Sequence, residues 1–269
     1  MSRLGSTVLA LALAGVITLA AHADEVLVAA AVVLVQLLVA VSPPLLTSSG
    51  EPIGSPRLVP AVVAGVVATV LTLEPRLLDG ADGTSAEVVG ATDTGVFAGV
   101  LPAVMAAVFV ALVAQMLRKD GRANLVSSTG YAVTLAVVAA FAAGWLGAAQ
   151  SLGGADVVAV GAAGLGGALL VWTIPVDRWI CLGPATLAGA GAGAAVAATA
   201  DSSMTWFFGV VVGAGAGVVA VLGQVVGRTM AARSVHPAVR WGFPGAMSVA
   251  FAAPVVYLGG QLVTAPLLR

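Results

Sequence analysis

The chain has 269 residues, 60% of them hydrophobic and 9% charged, with a formal net charge of −1, whereas soluble domains run at roughly 45–50% apolar and about 25% charged. At a mean hydropathy of +1.09 and about 20 apolar residues per span, nearly the whole length belongs in a bilayer, and no sizeable soluble domain fits between the spans. Ala, Val and Gly dominate and no apolar segment alternates with period two, which excludes an outer-membrane barrel and leaves helices that are apolar all round.

The first apolar run, Leu4 to Ala21, follows Arg3 and ends in the small-x-small sequence Ala21-His22-Ala23, so it also matches a secretory signal peptide. The next run begins at Val26, almost at the would-be cut, which suits a tight helical hairpin and favours an uncleaved first span. The second run, Val26 to Val41, carries Gln36. Ser42 to Arg57 is rich in Pro, Ser and Gly and reads as an irregular turn. Leu58 to Leu73 comes next, then the longest connection, Glu74 to Thr94, with five acids against one Arg. Those acids are too irregularly spaced for an EF-hand loop, and a solvated acidic loop is the expectation.

Six further spans are predicted at Gly95 to Leu117, Tyr131 to Ala149, Val157 to Ile174, Trp179 to Thr199, Met204 to Val226 and Gly245 to Pro266, none with an internal charge. The expected fold is all-α, a polytopic transmembrane bundle of about nine spans forming one integral membrane domain over residues 1–269. Loop charge sets its orientation. With Arg3 inside, alternate loops put Arg57, Arg118, Lys119, Arg122, Arg178, Arg228, Arg233 and Arg240 inside as well, and only Arg76 and Arg269 outside. That distribution satisfies the positive-inside rule, giving a cytoplasmic N-terminus and an outside C-terminus in the cytoplasmic membrane. Nine of the twelve acids fall outside, and Glu51, Asp120 and Asp177 inside.

Glycine is concentrated in the sixth to eighth spans. Gly209, Gly213 and Gly217 repeat every four residues and make a flat stripe on which a neighbouring backbone can lie, so a tightly packed bundle is expected there. Gly213 to Gly217 is no dinucleotide loop, because no strand precedes it and no helix opens after it. No ionisable residue lies within a span, which removes the usual mark of a proton relay or ion path. The intramembrane polar groups are Gln36, Gln115, Gln224, Gln261, Thr69, Thr134, Tyr131 and Tyr257. Such groups more often bond across helices than bind a solute, although Gln36, Gln115 and Gln224 could line a polar site beside helices kinked at Pro102 and Pro254. Cys181 is the only cysteine, and His22 and His236 fall in loops on opposite predicted faces, so neither a disulfide, a metal site nor a cofactor is expected.

Val221-Leu222-Gly223-Gln224-Val225-Val226-Gly227-Arg228-Thr229-Met230-Ala231-Ala232-Arg233, then Gly242-Phe243-Pro244-Gly245 and Ser248 to Tyr257, resemble the C-terminal end of the phosphatidate cytidylyltransferases, also called CDP-diglyceride synthases. Upstream, Leu182 to Gly189 looks like that family's Ser-Pro-x-Lys-Thr-x-x-Gly loop. The resemblance implies a polytopic protein with both loops on the cytoplasmic side. It does not carry the chemistry over, since cytidylyl transfer needs acids that hold divalent cations on the nucleotide phosphates. Gln224 stands where the family has Asp, Ala231-Ala232 where it has Lys-Arg, Ala185 where it has Lys, and no acid follows Asp201. The function expected is therefore that of a non-catalytic membrane protein, a degenerate cytidylyltransferase-like scaffold with no catalytic residues. Its partners are the bilayer and an anionic lipid or membrane protein rather than nucleic acid, with Arg228, Arg233 and Arg240 as head-group contacts. A permease for a small neutral solute is the alternative, and a phosphatidate cytidylyltransferase with an atypical site the second.

Overall fold

The computed structural model describes residues 3–46, 53, 55–74, 77, 95–118, 124–151, 153–175, 178–200, 204–232, 234 and 236–264. Regular structure among them is helical. In chain order the helices are α1 (Arg3–Ala21), α2 (Glu25–Ala40), α3 (Leu58–Leu73), α4 (Gly95–Met116), α5 (Leu125–Phe141), α6 (Gly144–Ala149), α7 (Gly154–Trp172), α8 (Arg178–Thr199), α9 (Trp206–Ala231) and α10 (Pro237–Thr264). Seven apolar helical units are long enough to cross a membrane, the joined α5–α6 pair counting as one, and this is the architecture of a helical membrane protein. Helices α2 and α3 are apolar but have 16 residues each. At about 1.5 Å per residue they measure roughly 24 Å, short of a hydrocarbon core of about 30 Å.

Glycine placement explains how the later helices meet. A Cβ on Gly189 of α8 would stand 2.9 Å from the carbonyl oxygens of both Gly164 in α7 and Gly213 in α9, and one on Gly213 would stand 2.5 Å from Gly189 O. Three backbones therefore touch at one level, and only glycine permits it. Above and below, Gly193 faces Gly209, and Gly217 fits against Ala168. With no hydrophobic force between helices in lipid, such close van der Waals contact is what holds them.

Helix α10 is the centre of the bundle and packs on α1, α2, α5, α6, α7 and α9. Gly223 and Gly227 of α9 lie where a Cβ would meet Met247 O at 2.6 Å and Pro244 Cα at 2.7 Å. Gly223 and Gly227 thus set the α9–α10 crossing. Both helices also run further than hydropathy predicts: α9 continues to Ala231 and α10 begins at Pro237. Proline suits the first turn of a helix, because the N–H it lacks would have no helical partner there. Arg228 and Arg240 are therefore helical residues, and only 232–236 connect the two helices.

The break between α5 and α6 sits at Ala142–Ala143, and Gly144 lets α6 approach α10, where a Cβ would come 2.7 Å from Ala253 O. Trp145, fully buried, donates its indole N–H to Val249 O at 2.9 Å. The α5–α6 unit is thereby fastened to the central helix.

Candidate functional site

Charge separates the two ends of the bundle. At one end lie Asp24, Glu25, Glu74 and Asp156. Asp24 caps α2, accepting from the Val26 N–H at 2.6 Å, while Glu25 and Asp156 sit in the first turns of α2 and α7, where a negative charge meets the positive end of the helix dipole. At the other end lie Arg3, Arg57, Arg118, Arg228 and Arg240. Arg3 donates to Trp172 O at 3.1 Å and Ile174 O at 3.0 Å, at the C-terminus of α7, and its guanidinium stands 5.2 Å over the Trp172 ring. This is the negative end of a dipole, and a cation suits it.

The basic end is tied together by neutral partners. Arg228 donates to Ser6 Oγ at 3.1 Å, and the wholly buried Gln224 donates to Ser6 Oγ at 3.0 Å and Thr7 Oγ1 at 3.2 Å. Arg118 donates to Gln115 Oε1 at 2.7 Å, while Gln115 donates to Ser128 Oγ at 2.6 Å. Gln36 pairs with Thr69 at 2.9 Å, pressed against Gly65, where a Cβ would stand 2.8 Å from its amide carbon. The three predicted glutamines thus do not share a site: Gln36 joins α2 to α3, Gln115 joins α4 to α5, and Gln224 joins α9 to α1. Gln224 Oε1 is buried with no hydrogen-bond partner.

The head-group arginines are also divided. Arg228 reaches into the bundle, Arg240 has its Nε buried without a hydrogen bond, and Arg233 lies outside the described residues. Gly209, Gly213 and Gly217 all serve the α7–α8–α9 contact.

A recess opens at the basic end that none of the predicted site residues described in the structure lines. It arises from a mismatch in helix length. Gln36 is four residues from the end of α2, whereas its neighbours Gly65 and Thr69 are seven and eleven residues from the start of α3. At about 1.5 Å per residue, α3 reaches roughly 5–10 Å beyond α2. The described part of the chain between them borders that step. It is pinned by Tyr131 Oη donating to Pro43 O at 2.7 Å, by Ser55 Oγ donating to Ser128 O at 3.1 Å, and by the Ile53 N–H bonded to Leu45 O at 2.7 Å.

Beside it is a cavity of about 400 Å³ whose polar lining, among the described residues, is Ser42, Ser55, Arg57, Ser234 and His236. The volume lies within the roughly 300–1,000 Å³ of small-ligand sites. Arg57 donates its Nε to Ser42 O at 3.0 Å and keeps four N–H donors on its terminal nitrogens. Ser234 is 6% exposed, with its Oγ sealed from solvent and unbonded, and His236 is exposed at the mouth. Among the described residues no group of three or more His, Cys, Asp or Glu side chains converges as a metal site would require.

Sequence reasoning read Ser42 to Arg57 as a turn and His236 as a loop residue. The only linear signal for the recess was the run of Ser, Pro and Gly in that turn, together with a histidine directly before the proline that opens α10. No protein family, curated protein or solved structure matches the chain.

Proposed function

We propose that this chain is a non-catalytic, nine-span protein of the cytoplasmic membrane, N-terminus in the cytoplasm and C-terminus outside, whose basic end binds an anionic lipid or a membrane partner. The observation that carries the reading is the division of charge. The described arginines stand at one end of the bundle and the described acids at the other, although neighbouring helices alternate in direction. On the positive-inside rule the arginine end faces the cytoplasm. Helices α2 and α3 count as spans on this reading because both are apolar and each runs between the acidic end, at Glu25 and Glu74, and the basic end, at Arg57.

The non-catalytic part rests on chemistry. If the C-terminal resemblance reflects descent from a cytidylyltransferase, Gln224 occupies the place of a metal-binding carboxylate, and its amide is spent on Ser6 and Thr7. A permease would have to draw its polar path from glutamines that already bond neighbouring helices.

Two measurements test this reading. Lipids retained by the protein through purification in a mild detergent are expected to be enriched in anionic phospholipids over the host membrane, and a bulk-like composition would remove the lipid-binding part. Incubation with CTP, Mg²⁺ and phosphatidic acid is expected to yield no CDP-lipid, and its formation would overturn the non-catalytic part.

A further inference from the structure

We propose that the α2–α3 flank of the bundle is fitted to a thin bilayer and gathers short-chain phospholipid around itself in preference to long-chain phospholipid. The inference rests on the reading above that α2 and α3 both span the membrane.

The flank is bounded by charge at both ends. At the acidic end Glu25 opens α2 and Glu74 closes α3. At the basic end Arg57 is the residue before α3, and its Nε donates at 3.0 Å to Ser42 O, just past the end of α2. One guanidinium therefore marks the inner limit of both helices. Between these limits each helix has 16 residues, roughly 24 Å against a hydrocarbon core of about 30 Å. The side chains turned outward along this length are apolar: Leu27 and Leu34 on α2, and Val59, Val66 and Val70 on α3, are all exposed.

The far flank is longer. Helix α3 packs on α2, α4, α5 and α6, whereas α9 packs on α7, α8 and α10, so the two face different sides of the bundle. On α9 the first charge after Trp206 is Arg228, an apolar run of roughly 33 Å. Phe207, Val211 and Leu222 face outward along it. No bilayer of a single thickness matches both flanks.

A helix that is too long can tilt, but tilting a short one only reduces its reach. Arg57 is not free to snorkel, because its Nε is held by Ser42 O. Drawing Glu25, Arg57 and Glu74 into hydrocarbon strands charge where no water reaches. Cover by a second copy of the chain is disfavoured by side-chain size. Membrane helices meet through small residues, and those of α3, Ala61, Ala64, Gly65 and Ala68, are buried inside the bundle. Lipid chains are left to compress beside α2 and α3, and short chains do so at the least cost.

The test reads lipid composition separately at the two flanks of the full-length protein. With Cys181 replaced by alanine, Val66→Cys in α3 or Leu222→Cys in α9 is labelled with bimane. Each labelled protein is placed in vesicles of dimyristoleoyl and dierucoyl phosphatidylcholine, with one lipid and then the other brominated. Quenching reports which lipid adjoins the label. At Val66 the short-chain lipid is expected to be favoured about twofold or more, and at Leu222 no such preference is expected. Val70→Cys is a second reporter on α3. Glu74→Leu, at an exposed position, moves the bounding charge along the chain to Arg76. It is expected to lower the preference at Val66 and to leave Leu222 unchanged.

The same ratio at both flanks, a preference for long chains at Val66, or an unchanged preference in Glu74→Leu overturns the proposal. A Val66 label quenched by neither brominated lipid nor aqueous iodide lies under protein, and overturns lipid as the occupant. A label quenched by iodide and not by lipid overturns the span reading itself. Lipid quenching with equal ratios keeps that reading and overturns only the fit to a thin bilayer.

Discussion

The contact among α7, α8 and α9 makes opposite demands on two glycines of the same helix pair. A Cβ at Gly213 would lie 2.5 Å from Gly189 O and 3.0 Å from Gly193 Cα, whereas one at Gly191 meets nothing within 4 Å. Ordinary contact needs about 3.5–4.0 Å, so Gly213→Ala forces the α8 backbone back by about 1 Å. A carbonyl in a helix cannot swing aside as a side chain can. Retreat of α8 also disturbs α7, because Gly189 touches Gly164 and Gly213 at once.

Overpacking of this kind costs about 1–3 kcal/mol, partly offset by the gain of about 0.8–1.0 kcal/mol when alanine replaces a helical glycine. Gly191→Ala keeps the gain without the cost. The expectation is that Gly191→Ala is neutral or stabilising by up to about 1 kcal/mol and that Gly213→Ala is about 1–3 kcal/mol less stable than Gly191→Ala. Equilibrium unfolding in mixed micelles, followed by tryptophan fluorescence, measures both. A Gly213→Ala protein as stable as Gly191→Ala would refute the three-backbone contact.

Trp145→Ala is expected to cost about 3–5 kcal/mol for a fully buried indole, and Trp145→Phe clearly less, the difference reporting the bond to Val249 O together with the volume lost; equal effects would contradict the fastening of α6 to α10. Gln36→Leu should cost about 0.6 kcal/mol and no more than about 1.7, the range of hydrogen bonds between membrane helices. A double-mutant cycle with Thr69→Val is expected to show coupling of that size, and zero coupling would remove the pair.

The glycine stripe was legible because its spacing of four is the period of a helix face, so residue type and position together named the packing surface. Helix limits were less so. Hydropathy ends one span at Val226, yet α9 continues to Ala231, since Gly227 rests on Pro244 and the contact extends past the apolar run. Pro244 was read outside the last span, but α10 accommodates it one turn after Arg240 and opens at Pro237 instead.

The glutamines could be read as residues needing partners, whereas which hydroxyl each would find depends on helix neighbours that lie 13 to 218 residues away. The recess was legible only as a turn rich in Ser, Pro and Gly and a histidine before a proline. Its lining comes from two connections, around Ser42 to Arg57 and around Ser234 to His236, and its volume comes from a helix that stops early against a longer one. No local pattern encodes such a difference in reach.

The account stands or falls on whether the arginine end and the acidic end face opposite sides of the membrane as loop charge requires. With the buried Cys181 replaced by alanine, single cysteines at Ser55, on the recess, and at Gln150, beside Glu25 at the other end, are treated with a membrane-impermeant maleimide. The account predicts that Gln150→Cys reacts in intact cells and Ser55→Cys only after the membrane is opened. Reaction of Ser55→Cys in intact cells, or protection of both positions in intact and opened cells alike, would contradict it.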